Sequence, residues 1–395
     1  MSHNNLNFVK KELPTGFKNL GLILLLVGIV GGTISFFLNA EQAIFNYLLA
    51  FMFLMSIGVG ALFLISLEYV AGADWSTPLR RVIEFSASVI PYLIVLSIPI
   101  LLNLHTLFHW SHTDVVSTDK VLQGKSPYLN EMFFAIRVVV VFAIWGLFYF
   151  LFTKNSKKQD ITKDQKLTSI NIKLSAVFIP LFAITASVAA IDFMMSLEPH
   201  WFSTIFGVYF FSGSVLAALS VITYATVKLR EGGYLHPKMV DDHYYSLGAL
   251  LFAFVNFWGY IAFSQYMLIW YANLPEETFW FLARWEGSWI FISLALIVVH
   301  FLVPYSVLLS QPAKMDSKKL KFAALWILFA HVLDLYWLIL PTFHGESNFV
   351  NTILGFSFII GAIGLVMLLF YFNAKKTNLV PIGDPKLEKG LNFRL

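Results

Sequence analysis

Ten long runs of hydrophobic residues follow one another along the chain, separated by short polar segments. Each run can cross the roughly 30 Å of hydrocarbon in a bilayer, which takes about 20 residues of α-helix. The pattern predicts an all-α integral membrane protein with ten transmembrane helices, named here spans 1 to 10. The predicted spans cover residues 20–38, 44–67, 83–104, 132–152, 172–194, 201–227, 246–271, 287–309, 321–340 and 349–373.

Basic residues fall almost entirely on one side of this pattern. All but four of the 27 lysines and arginines lie in the two termini and in or beside the loops after spans 2, 4, 6 and 8. The exceptions are Lys120, Lys125, Arg137 and Arg284. Because loops rich in Lys and Arg stay in the cytoplasm, both termini are expected there. The first hydrophobic run is a full span, so we expect it to remain as an anchor.

Composition supports the membrane assignment and excludes several classes of function. Hydrophobic residues make up 58% of the chain and charged residues 13%, whereas about 25% of residues are charged in a soluble domain. The net charge of +4 follows from the basic loops, so it indicates topology and some attraction to anionic lipid rather than nucleic acid. Without cysteine, the chain cannot ligate an iron–sulfur cluster or form a thiolate zinc site.

The polar segments between the spans are too short for an independent domain, so we expect one membrane domain over residues 1–395. Residues 374–395 include Pro381, Gly383, Pro385 and Gly390 and are predicted to form an extended cytoplasmic tail. No phosphate-binding loop, metalloprotease helix or nucleophile elbow occurs in the sequence, so we assign no catalytic residue and no metal ligand.

A weak internal repeat divides the spans into two units. An aromatic-aromatic-x-x-Arg motif opens span 4 and recurs before span 8, and an Asp followed seven residues later by Pro ends spans 5 and 9. These motifs occupy residues 133–137, 280–284, 192–199 and 334–341. We therefore expect two four-helix bundles of parallel orientation, over 44–194 (spans 2–5) and 201–340 (spans 6–9), with spans 1 and 10 peripheral to them.

Ionisable residues in the first unit lie at two depths. Glu68 and Glu84 stand near the cytoplasmic ends of spans 2 and 3, and His105, Arg137 and Asp192 stand near the outer ends of spans 3, 4 and 5. Charges in a bilayer are costly, so such residues are functional candidates. The outer three could hold a quinol headgroup, with Asp192 or His105 accepting a hydroxyl proton. The alternative is an Arg137–Asp192 ion pair that ties helix ends together.

In the second unit the deep residues are His300 in span 8 and His331 with Asp334 in span 9. Residues three apart share a helix face, so the Asp334 carboxylate is predicted to orient the His331 imidazole. With Glu68 and Glu84 these residues are candidates for a proton path. The alternative is a structural role, in which these residues form hydrogen bonds that hold neighbouring helices together. A single haem between His300 and His331 is a further possibility, since histidines on facing helices can be axial ligands.

Residues 242–284 resemble a membrane subunit of bacterial alternative complex III, the quinol:cytochrome c oxidoreductase unrelated to the bc1 complex. The most specific part is 257–278, which reads FWGYIAFSQYMLIWYANLPEET. The match is to the smaller of the two polysulfide-reductase-like (NrfD-like) membrane subunits of that complex. The ten-span layout extends the resemblance over nearly the whole chain.

The resemblance implies the two-bundle architecture, a bacterial inner membrane and menaquinol as the electron donor of the assembly. The implied partners are an iron–sulfur subunit, a multihaem cytochrome c, the larger paralogous membrane subunit and often a terminal cytochrome oxidase; haem and iron–sulfur clusters would lie in these partners. In the wider family a first-bundle quinol site would lie at the positions of His105 and Asp192. The larger paralogue is the one more securely expected to hold the quinol.

The prediction is a non-autonomous subunit of a quinol-oxidising respiratory complex, contributing a quinone pocket in spans 2–5, a proton path, or both. Two alternatives stay open. A secondary transporter also fits two repeated units with polar residues near the midplane, although the spans lack obvious Gly/Pro-broken half-helices. The third class is an inert membrane scaffold.

Overall fold

The computed structural model describes residues 11–345 and 349–395. In these residues ten helices are long and apolar enough to span a membrane and no strand occurs, which confirms the predicted all-α membrane fold. In chain order, the spans are Thr15–Leu38, Ala40–Ala71, Thr77–Leu101, Glu131–Thr162, Lys166–Leu197, Phe206–Glu231, Asp241–Ala272, Trp289–Leu308, Ser317–Thr342 and Phe349–Lys376. Shorter helices connect or follow them: Leu104–Leu107, His109–Ser111, Thr113–Thr118, Lys120–Lys125, Pro275–Leu282, Gln311–Met315 and Leu387–Leu391.

Several spans are longer than the hydrophobic pattern predicts, because the helix continues into its polar flanks. Span 4 has 32 residues, or about 48 Å of helix, against the roughly 30 Å that hydrocarbon requires. Local signals set the ends. The Asn39 and Asn130 side chains accept hydrogen bonds from the first turns of spans 2 and 4, and Gly72 ends span 2 with a left-handed φ of 65°.

The loops after spans 2, 4, 6 and 8 lie together at one end of the molecule. Ion pairs link them, including Arg81 Nη2 to Asp160 Oδ2 at 2.5 Å and Lys321 Nζ to Glu231 Oε1 at 2.5 Å. We name this the basic end. The other end, which carries residues 102–130, 198–205 and 273–288, is the distal end. Charge predicts that the basic end lies in the cytoplasm.

Span 3 is discontinuous, whereas the hydrophobic pattern predicts one unbroken helix over 83–104. The helix Arg80–Ser86 passes into a 3₁₀ segment, Ala87–Tyr92, and then into short helical turns. Pro91 and Pro99 lie in this stretch, and proline removes a backbone donor and clashes with the preceding turn. The Tyr47 hydroxyl of span 2 donates to the Leu96 carbonyl at 2.7 Å, so a neighbouring helix compensates for the break.

Spans 2 and 6 are the most buried helices of the described chain. Span 2 packs against spans 3, 5, 6 and 10, and span 6 packs against spans 2, 5, 7 and 9. These contacts cross the boundary between the two repeated units, so the grouping into two separate four-helix bundles stays a prediction. Spans 1 and 10 pair closely with each other beside span 2, and span 1 leaves most of its surface exposed.

The C-terminal segment, residues 377–395, is folded against the basic end and is not the extended arm that its Pro and Gly content predicts. Leu379, Val380, Leu387 and Leu391 are buried. Asp74, in the loop after span 2, pairs with both Lys386 and Lys389. Partial burial acts to raise the pKa of Asp74, but hydrogen bonds and charge from these lysines outweigh it and lower the pKa below its usual value.

Glycines permit the close pairing of spans 1 and 10, and this gives a test of the packing. A Cβ added at Gly361 would lie 2.9 Å from the Gly28 Cα, and overpacking of this kind costs about 1–3 kcal/mol. Gly361→Leu should therefore lower the thermal unfolding temperature of the detergent-purified protein. Gly146→Leu in span 4 is the matched control, since open space surrounds that glycine. Equal destabilisation by both variants would contradict the described packing.

Candidate functional site

Three groups of buried polar side chains lie among the spans. The Arg137–Asp192 pair lies towards the distal end of spans 4 and 5. The Asp334 cluster, in spans 6 to 9, consists of Tyr209, Trp258, His300, His331 and Asp334. The basic-end network consists of Glu68, Arg80, Arg81, Glu84, Asp160 and Asp384. All of these side chains are buried except Asp160, which is partly exposed. An unsatisfied polar atom is costly in such an interior, so the partners of each group determine its chemistry.

Arg137 and Asp192 form a two-pronged ion pair. The guanidinium donates from Nε to Asp192 Oδ2 at 2.8 Å and from Nη2 to Oδ1 at 3.0 Å. Tyr128 donates its hydroxyl to Asp192 Oδ1 at 3.0 Å, and its ring lies 3.8 Å from the guanidinium carbon. Charge-assisted bonds of this geometry are strong and directional, so the described partners already engage both carboxylate oxygens.

His105 does not join this pair, although its place in the sequence predicts that the three residues form one group. Its Nε2 lies 3.2 Å from Glu131 Oε1, and its side chain is 64% exposed. Its Nδ1 lies 3.2 Å from the Ser111 hydroxyl. The break in span 3 is the physical reason, because the helix ends before His105 and a short turn, Leu104–Leu107, carries the imidazole to the surface.

Asp334 lies in the interior of the second unit, 1% exposed. Its Oδ1 accepts the Tyr209 hydroxyl of span 6 at 2.5 Å, and its Oδ2 accepts the Trp258 indole N–H of span 7 at 3.3 Å. The predicted hydrogen bond from Asp334 to His331 is therefore wrong. Sharing a helix face brings two side chains near each other, but donors from the two facing helices take both carboxylate oxygens.

His300 and His331 lie beside Asp334 with free nitrogens. Their ring centres are 6.4 Å apart, both side chains are buried, and among the described residues none of their four ring nitrogens has a hydrogen-bond partner. His300 belongs to a π-helical segment, Ile297–Leu302, a distortion that often occurs at functional sites. The Trp258 ring centre lies 3.8 Å from that of His300, so a haem bound to this face would have to displace the indole.

Arg284 differs in its contacts from Arg137, its counterpart in the predicted repeat. In that repeat Asp334 corresponds to Asp192. Arg284 is buried but donates to the backbone carbonyls of Trp280, Trp337 and Leu338 at 2.8–3.1 Å. It thus satisfies carbonyls at the end of span 9 and leaves Asp334 with two neutral donors. No cation of the described chain contacts the Asp334 carboxyl.

The basic-end network contains both predicted glutamates and two aspartates that the sequence did not single out. Glu68 Oε1 accepts from Ser76 at 2.9 Å and from Arg80 at 3.4 Å, while Glu84 Oε2 pairs with Arg81 at 2.5 Å. Asp160 of span 4 pairs with Arg81, and Asp384 of the C-terminal segment pairs with Arg80. Both aspartates lie in polar stretches that read as solvated loops, so only the folded chain reveals them.

A hydrophobic crevice of about 470 Å³ opens between spans 1, 2, 3 and 10. Phe36, Phe51 and Phe358 contribute to its walls, and glycines of spans 1 and 10 leave room between them. Its polar groups include Tyr47 and Asn103, which both bind carbonyls of span 3. Neither Arg137 nor Asp192 lines it.

Comparison with known proteins gives no family assignment. No protein-family model matches the chain, and no curated protein matches its sequence.

The Arg137–Asp192 pair allows a direct test of its buried geometry. Arg137→Leu should destabilise the protein by about 3–5 kcal/mol, because it leaves the Asp192 charge buried without a cation. The double variant Arg137→Leu/Asp192→Leu should recover much of this loss. Thermal unfolding of the native protein, of Arg137→Leu, of Asp192→Leu and of the double variant measures the coupling free energy between the two residues.

The exposed pair of His105 with Glu131 supplies the control, because Glu131→Gln should leave stability nearly unchanged. If the losses of stability in the two single variants simply added up in the double variant, the direct contact between Arg137 and Asp192 would be contradicted.

Proposed function

We propose that the chain is a membrane subunit of a respiratory quinol:cytochrome c oxidoreductase of the alternative complex III type. Its own contribution would be proton transfer through the Asp334 cluster and the basic-end network. It is not an autonomous enzyme in this proposal, because without cysteine the chain offers no iron–sulfur ligand of its own. The resemblance of residues 257–278 supports the identity of the assembly, and the buried polar groups support the task.

One observation carries the proposal of proton transfer. Asp334 is buried with two neutral donors, Tyr209 and Trp258, and without a contacting cation in the described chain. Ionisation therefore leaves a net charge in a low-dielectric interior, whereas a bound proton removes it. The free ring nitrogens of His300 and His331 lie alongside and can accept or pass a proton. A purely structural role would explain the two hydrogen bonds to the Asp334 carboxyl, but not the four buried imidazole nitrogens that lack a partner in the described chain.

Quinol binding in this subunit has weaker support. The Arg137–Asp192 pair is closed by Tyr128, and His105 is exposed elsewhere. The hydrophobic crevice offers room for a hydrocarbon tail, but no carboxylate, imidazole or cationic side chain of the described chain lines it to bind a quinol headgroup. We therefore assign menaquinol binding chiefly to the larger paralogous membrane subunit.

Partners and location follow from the same proposal. The chain would assemble with an iron–sulfur subunit, a multihaem cytochrome c, the larger paralogous membrane subunit and a terminal cytochrome oxidase in a bacterial inner membrane. The concentration of Lys and Arg at the basic end supports a cytoplasmic position for that end and for both termini.

A secondary transporter is the second candidate, and the broken span 3 favours it. Transporters use discontinuous helices to expose backbone groups to a substrate, and here Pro91 and Pro99 interrupt the helix. Substrate uptake by the lone chain in liposomes would identify this function. If the chain is only a scaffold, liposomes that contain it should show neither substrate uptake nor proton movement.

Asp334→Asn tests the proposed function. In the purified assembly, reconstituted in liposomes, this variant should lower quinol-dependent proton movement by about 10²-fold, the scale expected when an acid–base group is lost. Tyr209→Phe, which keeps the carboxyl and removes its shortest hydrogen bond, should have a smaller effect in the same direction. Proton uptake and cytochrome c reduction are measured together.

Asp114→Asn is the matched control, because that carboxylate is exposed on the distal loop. Unchanged turnover and unchanged proton movement in an intact Asp334→Asn assembly would contradict the proposal and support a scaffold.

A further inference from the structure

Arg80 is shared by two carboxylates from different parts of the chain. Its Nη2 lies 3.4 Å from Glu68 Oε1 of span 2, and its Nη1 binds Asp384 of the C-terminal segment. All three side chains are at least 97% buried. One guanidinium thus balances a carboxylate of a transmembrane helix and a carboxylate of a separate surface segment.

The neighbouring Arg81 holds the same segment by a second route. It donates to Asp160 Oδ2 at 2.5 Å and to the Ser156 carbonyl at 3.0 Å. Asp160 Oδ1 in turn accepts the backbone N–H of Gly383 at 3.2 Å. Residues 383 and 384 are therefore attached directly to the buried network, and a side chain at 383 would collide with the Gln159 carbonyl.

Carboxylates outnumber arginines in the network. Glu68, Glu84, Asp160 and Asp384 face two arginines, and Glu68 Oε2 and Glu84 Oε1 are buried without a hydrogen-bond partner in the described chain. Such atoms are normally satisfied by a proton or by water. The other titratable groups around it are Tyr69 from span 2, Tyr149 and Lys157 from span 4 and Lys376 from span 10.

Other contacts keep the segment attached when the Arg80 contact changes. Lys386 Nζ donates to the Gly72 carbonyl at 2.7 Å, and His243 Nε2 lies 2.9 Å from the Gly390 carbonyl. Together with the buried side chains of Leu387 and Leu391, these contacts anchor the end of the segment. Movement can thus stay local to residues 381–385.

We infer that Arg80 couples the docking of the C-terminal segment to the charge of Glu68. A proton on Glu68 removes one of the two competitors for the guanidinium, so Arg80 binds Asp384 more tightly and the segment closes over the network. When Asp384 dissociates, Glu68 is the remaining carboxylate partner of Arg80. The guanidinium then stabilises the ionised form of Glu68. The two effects are equal in free energy, since coupling between sites is reciprocal. The segment is therefore a gate between the network and the solvent at the basic end.

The coupling rests on these contacts alone, whereas its use in regulating proton entry rests on the proposed function. The two can fail separately. Gate motion is measured on the full-length chain in lipid nanodiscs without quinol, and the proposed function is measured by turnover of the assembly.

Hydrogen–deuterium exchange of the backbone amides in residues 382–384, 386 and 387 tests the coupling, since residues 381 and 385 are prolines without an amide proton. Glu68→Gln should slow exchange there by about 5- to 150-fold, the usual range of coupling between sites. Asp384→Asn should accelerate it, and adding Glu68→Gln to Asp384→Asn should then change nothing further. Glu68→Asp keeps a buried carboxylate but shortens it, so it should slow exchange less than Glu68→Gln and serves if the latter fails to assemble.

Asp74→Asn is the matched control, because it loosens the Lys386 and Lys389 contacts without touching Arg80. In that background Glu68→Gln should still slow exchange. The inference is overturned if Glu68→Gln leaves exchange unchanged in the native chain, or if its effect is the same with and without Asp384.

Discussion

The absence of water inside a bilayer is the constraint on which this structure depends. Backbone groups must bond within helices, and every charged side chain needs a partner or a bound proton. The chain meets this demand in different ways. Arg137 is matched by Asp192, Arg284 by backbone carbonyls, and Arg80 and Arg81 by an excess of carboxylates. Asp334 differs from these, because its hydrogen-bond partners in the described chain are two neutral donors.

Hydropathy alone predicts the ten spans, because length and apolar composition determine whether a helix crosses hydrocarbon. It does not predict the break in span 3, although Pro91 and Pro99 signal it in the sequence. The Arg137–Asp192 contact is predictable as an ion pair between helix ends. The partners of Asp334 are not, since helix periodicity relates residues of one helix and says nothing about donors from spans 6 and 7.

The sequence predicts two repeated units, and the structure places their corresponding arginines and aspartates in different surroundings. Arg137 and Asp192 form an ion pair, whereas Arg284 and Asp334 have separate partners. Two histidines whose ring nitrogens have no partner among the described residues lie beside Asp334. The polar C-terminal segment reads as a loop in sequence, yet it completes the basic-end network through Asp384. Both features depend on contacts between residues far apart in the chain, which no local pattern encodes.

We propose that the buried polar groups of spans 6–9 transfer protons. A cryo-EM map of the assembled complex in a bilayer, at a resolution that shows ordered water, tests it most directly. Proton transfer predicts water bound to the ring nitrogens of His300 and His331 and a hydrogen-bonded chain from Asp334 towards one face of the membrane. A dry cluster, with both imidazoles enclosed by hydrocarbon and no water beside Asp334, would contradict it.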